Sequence, residues 1–336
     1  MQKKLKISVL ALICMTMLCN QSFAQNVQVY GRLLMTANQV ETGDVNKVNE
    51  LKDNGSRLGF KGVEDLGLGM SALFGLEMGI NADSGLTTTP AFRASYVGLS
   101  GNLGTLAIGR LDVGNPTGSP LYSQITSLMN FAPSDVGATS TTAFLNGRNR
   151  TSESIGFQSP EFGNLTFKAR IYFRGAGTNS EPEDAAKGTD LGVEYKAGNL
   201  KAAIGYAKDT RTGGLKNNEF NEKWQVGLNY RLQKEWDVYL IKGVDTYKNT
   251  STTRHDVDYK LLGTSYTMGQ NKLVFNTVHR DVQSALTGVR KKNQLSYQYF
   301  LSKKTDLQAF IDNDSVDSSR TNVRIRSVGL GIRQIF

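Results

Sequence analysis

The chain is 336 residues long, with 35 glycines and 13 tyrosines against only 6 prolines, a balance that favours many strands and turns. Its 39 basic and 30 acidic residues leave a formal charge of +9, without the basic cluster or basic–aromatic motif of a nucleic-acid binder. Two cysteines, two histidines and no apolar run long enough for a membrane-spanning helix leave a transition-metal site without support and exclude a helical membrane protein.

Residues 1–24 read as an export signal. Lys3, Lys4 and Lys6 form a basic head, Ile7 to Cys19 an apolar run, and Ser22-Phe23-Ala24 a cleavage site of small residues. Cys14 and Cys19 both lie inside this run, preceded by Ile13 and Leu18, which argues against lipoprotein processing. The remaining 25–336 form one domain without cysteine, with a basic excess of +6 once the three leading lysines are gone. Export without disulfide chemistry points to a bacterial envelope.

From Gln25 onward apolar residues alternate with polar or small ones at period two, the mark of strands with two unlike faces. Val27, Val29, Leu33 and Met35 oppose Gln28, Tyr30, Arg32 and Thr36. Met70, Ala72, Phe74, Leu76 and Met78 oppose Ser71, Gly75, Glu77 and Gly79. The pattern returns in Leu165–Phe173, Leu200–Tyr206, Trp224–Tyr230, Leu295–Leu301 and Leu307–Ile311. Each segment is about the 9–11 residues a tilted transmembrane strand requires.

Connections alternate as well. Seven are short, at 64–69, 101–104, 160–164, 197–199, 231–235, 269–271 and 302–304. Eight are long and polar, near 40–54, 82–90, 111–150, 174–188, 209–222, 244–257, 281–291 and 313–322. Fifteen connections predict sixteen strands in an all-β, antiparallel transmembrane barrel, with short periplasmic turns and long extracellular loops. The last stretch, Val323–Phe336, fits that plan. Val328, Leu330, Ile332 and Phe336 share one face, Ser327, Gly329, Gly331 and Arg333 the other, and the chain stops on the aromatic. Taken alone it could be an ordinary edge strand; as a closing strand it would place Phe336 at the lipid interface.

Several pieces carry a family resemblance. Gly55-Ser56-Arg57-Leu58-Gly59-Phe60-Lys61-Gly62, Glu64-Asp65-Leu66-Gly67, Tyr96-Val97-Gly98-Leu99, Gly109-Arg110, Pro160-Glu161-Phe162-Gly163 and the closing Gly331–Phe336 resemble the general porins of Gram-negative bacteria, especially those of β-proteobacteria and neisseriae. Gln334 departs from the basic or aromatic residue expected there. The resemblance implies a passive, water-filled channel in the outer membrane for ions and small hydrophilic solutes. It also implies a homotrimer with the 82–90 loop reaching a neighbour, contact with outer-membrane lipid and lipopolysaccharide, and a C-terminal strand ending in Phe336 that the barrel assembly machinery reads. No cofactor follows from it.

Gly67-Leu68-Gly69-Met70-Ser71-Ala72 matches a relaxed dinucleotide-binding pattern, but a period-two strand follows where that motif needs a helix. His255 lies in a polar stretch and His279 beside Arg280 and Asp281, neither with the partners that nucleophilic hydrolysis needs. No catalytic or metal residue is assigned.

The segment 111–150 is too long for a plain connection in a compact barrel, and the resemblance implies a third loop folded into the lumen as a constriction. It brings Asp112 and Asp135, with Arg148 and Arg150 leading out. Alternation puts Arg32, Arg57, Lys61, Arg93, Lys168, Arg170, Lys201 and Arg333 on the lumenal face with Glu77, Asp190, Glu194, Asp237, Asp306 and Asp312. The resemblance sets Arg57 and Arg93 opposite the inserted loop. Arg110 has the lipid-facing parity of Leu106 and Ile108, so the strand is expected to have ended there. Arginine facing carboxylate across a narrow pore sets a transverse field, which predicts a weak anion preference. A solute-specific channel, an outer-membrane enzyme and an adhesin are the rival readings.

Overall fold

The computed structural model describes residues 26–43, 46–112, 117–118, 120–121, 150–173, 188–209, 221–248, 254–282, 288–319 and 321–336. The signal segment, Asp135 and Arg148 lie outside them. Seventeen strand segments follow in order: β1 Asn26–Thr42, β2 Asn46–Asp53, β3 Ser56–Gly67, β4 Met70–Asn81, β5 Leu86–Gly101, β6 Gly104–Asp112, β7 Arg150–Gln158, β8 Leu165–Tyr172 and β9 Gly188–Ala197. Then come β10 Leu200–Asp209, β11 Glu222–Gln233, β12 Trp236–Lys248, β13 Arg254–Met268, β14 Asn271–Asp281, β15 Gly288–Phe300, β16 Thr305–Ser318 and β17 Asn322–Ile335.

β2 and β3 are interrupted only at Asn54-Gly55, and both pair with β1, one against its C-terminal half and one against its N-terminal half. They make one barrel strand. Sixteen antiparallel strands therefore close into a ring, sealed where β1 pairs β17 from Arg32↔Ile335 to Thr42↔Ile325. No edge is left to face lipid with unpaired backbone groups.

The faces are inverted relative to a water-soluble protein. Val29, Leu76, Val97, Leu99, Ile204, Leu295 and Leu330 are exposed on the outside, while Arg170, Asp190, Lys223, Gln225, Asp245, Lys292 and Asp312 are buried inside. A continuous apolar exterior over a polar interior suits a hydrocarbon surround and an aqueous lumen.

Several loops are shorter than alternation predicts. β1 and β2 run to Thr42 and from Asn46, cutting the 40–54 loop to a turn. β5 begins at Leu86, β12 reaches Lys248, and β16 reaches Ser318 before β17 starts at Asn322. The reason is physical. Beyond the lipid band a strand keeps its ladder hydrogen bonds but has no need of an apolar outer face, so polar pairs such as Glu41↔Lys47 and Gln39↔Asn49 continue the sheet without its signature.

Closure rests partly on the last residue. The Phe336 N–H donates to the Gly31 carbonyl at 3.1 Å and the Gly31 N–H to the Phe336 carbonyl at 3.1 Å. The Phe336 ring lies on Gly31, where any Cβ would overlap it. Deleting Phe336 removes two hydrogen bonds worth about 1 kcal/mol each and the ring contact. A severalfold fall in the fraction migrating as folded barrel in unheated electrophoresis is expected, with unit conductance unchanged in the molecules that do insert. Wild-type folded yield would contradict this role.

Candidate functional site

On the lumenal wall five charged side chains from five successive strands join in one ladder. Arg57 of β3 lies 3.6 Å from Glu77 of β4, and Arg93 of β5 lies 2.7 Å from the same carboxylate. Arg93 continues to Asp112 of β6 at 3.6 Å, and Arg150 of β7 reaches Asp112 at 3.2 Å. Tyr30 of β1 adds a hydrogen bond to Glu77. Neighbouring strands lie about 4.8 Å apart, so long side chains one strand over meet naturally, and alternating sign along the row lets each carboxylate serve two guanidinium groups.

Two bulges build this row. Glu77 pairs Ala94 and Met78 pairs Phe92, leaving Arg93 as the extra residue. Arg93 is among the residues expected on the lumenal face, yet alternation carried back strictly from Val97 and Leu99 would turn it outward, and the bulge is what turns it in. Against β6 the register shifts between Gly109 and Leu111, where Ser152 and Glu153 of β7 face the single residue Arg110, and Gly109 has φ +132°. The strand does not end at Arg110, as alternation had suggested, but continues to Asp112. Arg110 is 8% exposed, against 48% for Ile108, so it has left the lipid-facing row. Its guanidinium donates to the Phe92 carbonyl at 2.9 Å and to the Ser152 hydroxyl at 2.7 Å.

The remaining predicted wall residues are placed apart from the ladder. Arg32 donates to the carbonyls of Gly55 and Asn54, both at 3.1 Å, bracing the break between β2 and β3. Lys61 lies over the Tyr30 ring, 5.2 Å from its centre. Lys168 pairs Glu194 at 2.9 Å, and Arg170 pairs Asp190 through its Nε at 2.9 Å. Arg333 reaches Asp306 at 2.7 Å. These pairs neutralise their stretch of wall, whereas at the ladder four guanidinium groups, of Arg57, Arg93, Arg110 and Arg150, gather around Glu77 and Asp112 among the described residues.

A second cluster escaped the sequence reading. Asp245 holds Lys223 at 2.9 Å and Arg280 at 2.7 Å, all three nearly or fully buried. Lys223 also stacks on Tyr259, 4.3 Å from its ring centre. Lys223 shares the inward parity of Gln225, so extending β11 by one step would have found it.

Against this cluster sits the start of the long β6–β7 connection. Gln225 donates to the Leu121 carbonyl at 3.0 Å, and Leu121 packs with Ala207, Tyr247 and Val257. Pro120 occupies the space over Gly192, and the Thr117 carbonyl that over Gly156. All these wall positions point inward. Among the described residues no group of His, Cys, Asp or Glu could hold a metal ion.

A family model described as Gram-negative porin matches residues 9–319. Outer membrane porin protein 32 of Delftia acidovorans is 28% identical over 299 residues, covering 82% of this chain and 79% of the relative. An outer membrane porin of Bordetella pertussis is 24% identical over 331 residues, covering 84% and 83%. Among solved structures, the anion-selective porin from Comamonas acidovorans superposes with TM-score 0.76 at 23% identity, covering 93% of this chain and 100% of that one. The trimer form of OmpT from Vibrio cholerae gives TM-score 0.69 at 14% identity over 93% and 100%.

Proposed function

This chain belongs to the Gram-negative porin family, and from that premise we propose that its outer-membrane barrel is a water-filled, weakly anion-selective channel for passive diffusion. The observation that carries the sign is the Arg57–Glu77–Arg93–Asp112–Arg150 ladder with Arg110 beside it, where guanidinium outnumbers carboxylate among the described residues. A solved structure that shares the fold is an anion-selective porin. The 111–150 segment narrows the lumen across from this ladder; the seating of Thr117, Pro120 and Leu121 on inward-facing positions supports that reading. Protomers assemble as homotrimers, as in the trimeric neighbour, and the strand ending in Phe336 is what the assembly machinery engages.

Planar-bilayer recording under a salt gradient tests the reading. Stepwise conductance should appear, with a reversal potential on the anion side. The preference should be largest near 0.1 M salt, where the Debye length is about 10 Å, and fade toward 1 M, where it is about 3 Å. A cation-side reversal potential at low salt would mean that residues of the inserted loop, Asp135 among them, outweigh the arginine ladder.

A further inference from the structure

We propose that Asn54 is a deamidation site of the unfolded chain which closure of the barrel shuts off, and that a chain modified there before closure cannot complete its seam. Asn54-Gly55 is one of two Asn-Gly dipeptides in the sequence; the other, Asn146-Gly147, lies outside the described residues. Asparagine followed by glycine is a chemically labile pair, because glycine has no Cβ to shield its backbone nitrogen. That nitrogen loses its proton to hydroxide and attacks Asn54 Cγ. A new N–Cγ bond closes a cyclic imide, the Cγ–Nδ2 bond breaks, and ammonia leaves with a proton taken from water. Water then opens the imide. Opening at Cγ gives aspartate, and opening at the main-chain carbonyl gives isoaspartate, in which the chain runs through the former side chain. The net change is water in and ammonia out.

In the folded barrel both reacting groups are engaged elsewhere. The break between β2 and β3 holds Gly55 at φ +81°. Its N–H donates to the Asp53 carboxylate at 2.8 Å, and Asp53 also accepts from the Ser56 N–H at 3.1 Å. A carboxylate on that N–H opposes the nitrogen anion the attack needs, because like charges would then meet. The amide that must leave is turned toward β1. Asn54 Nδ2 donates to the Thr36 hydroxyl at 2.8 Å and to the Lys52 carbonyl at 3.1 Å. Arg32 fixes the main chain by donating to the carbonyls of both Asn54 and Gly55. Asn54 is buried as well.

The same contacts reject the products. Aspartate would put an oxygen where Nδ2 stands, facing the Lys52 carbonyl with no proton between them, and would bring a charge to a buried position. Isoaspartate adds a methylene to the main chain between the Cα of residue 54 and the Gly55 nitrogen. β1 pairs Met35 with Asp53 on one side of the break and Arg32 with Arg57 on the other, so the added length breaks one register or the other. Within the break, the Asn54 N–H donates to the Leu34 carbonyl at 2.9 Å and the Leu34 N–H to the Ser56 hydroxyl at 3.0 Å. β1 is also the strand that seals the ring against β17, so the damage falls on closure. A chain exported unfolded is open to the reaction until this break forms.

The test follows Asn54 by peptide-mapping mass spectrometry in full-length mature protein, held either unfolded in urea or folded in detergent in the same mildly alkaline buffer. In urea Asn54 should convert at a rate close to that of Asn146. In the folded barrel it should convert at least about a hundredfold more slowly, since the bonds from Asn54 Nδ2 and the Gly55 N–H must open first and each contributes about fivefold. Asp53→Ala, which frees the Gly55 N–H, and Thr36→Val, which releases one hold on Nδ2, should each raise the folded rate about fivefold and leave the rate in urea unchanged. If one of the two fails to fold, the other carries the comparison. Unfolded protein aged to partial conversion and then refolded should concentrate the modified residue in the fraction that does not migrate as folded barrel in unheated electrophoresis. Equal rates in folded and unfolded chains, or no conversion in urea, overturn the proposal. Equal content of the modified residue in the folded and unfolded fractions overturns it too, because the lesion would then be tolerated at the seam. None of these readouts measures conductance, so failure of the channel reading and failure of this proposal are distinguishable.

Discussion

Changing Arg57 and Arg93 together to serine should carry the reversal potential from the anion to the cation side while the barrel still assembles. Two guanidinium groups leave a ladder that has four with its neighbour Arg110, and Glu77 and Asp112 remain. Among the described residues, the local excess of positive charge then vanishes. Fields of several kT in a low-dielectric cleft change local ion concentrations by an order of magnitude or more, so the permeability ratio should shift about tenfold at low salt and much less at 1 M. Assembly survives because Glu77 keeps its bond to Tyr30 and borders lumenal water, and Asp112 keeps Arg150. Arg93→Ser alone should act more strongly than Arg57→Ser, because Arg93 bridges both carboxylates. A folded, conducting double variant with the wild-type reversal potential would move the selectivity filter off this wall.

The same ladder shows what sequence could and could not reveal. Period-two alternation placed Arg57, Glu77, Lys168, Arg170, Asp190 and Glu194 on the lumenal side because their strands are regular, and regular strands have only two faces. It put Arg93 there too, although strict alternation from Val97 and Leu99 turns that residue outward, and it left Arg110 on the lipid-facing side. Each sits at a register shift that side-chain pattern does not announce: Arg93 is itself the extra residue in β5, whereas Arg110 faces two residues of β7, Ser152 and Glu153. Loop lengths were overestimated at 40–54, 82–90 and 313–322 for a related reason: outside the lipid band the sheet persists on backbone hydrogen bonds alone, which are blind to side-chain pattern. Cross-strand partners such as Lys242 and Lys260, 18 positions apart, depend on register, which alternation fixes only to the nearest even step.

The largest structural effect is expected at Asp245. This carboxylate is fully buried and is shared by Lys223 at 2.9 Å and Arg280 at 2.7 Å. Asp245→Ala would take away the carboxylate that the two cations share, and breaking a buried pair by removing one partner costs about 3–5 kcal/mol. The damage should not spread evenly. Arg280 also donates to the Tyr247 hydroxyl at 2.9 Å, and Tyr247 is one wall of the apolar seat under Leu121. Tyr259, stacked on Lys223, donates to Gln225 at 3.0 Å, and Gln225 holds the Leu121 carbonyl. Two cations pushing apart therefore disturb both supports of the loop where it meets the wall. The backbone ring, held by continuous ladders between β11, β12, β13 and β14, has no such dependence. The variant should still run as a folded barrel, melt at a lower temperature, and show higher, noisier single-channel conductance as the loop lifts from its seat. Lys223→Met with Asp245→Leu and Arg280→Met, which removes every charge at once, should restore much of the melting temperature, since replacing buried ions by apolar groups of similar size is often neutral. A single variant with unchanged conductance noise would mean that the loop is held by contacts other than those at Leu121.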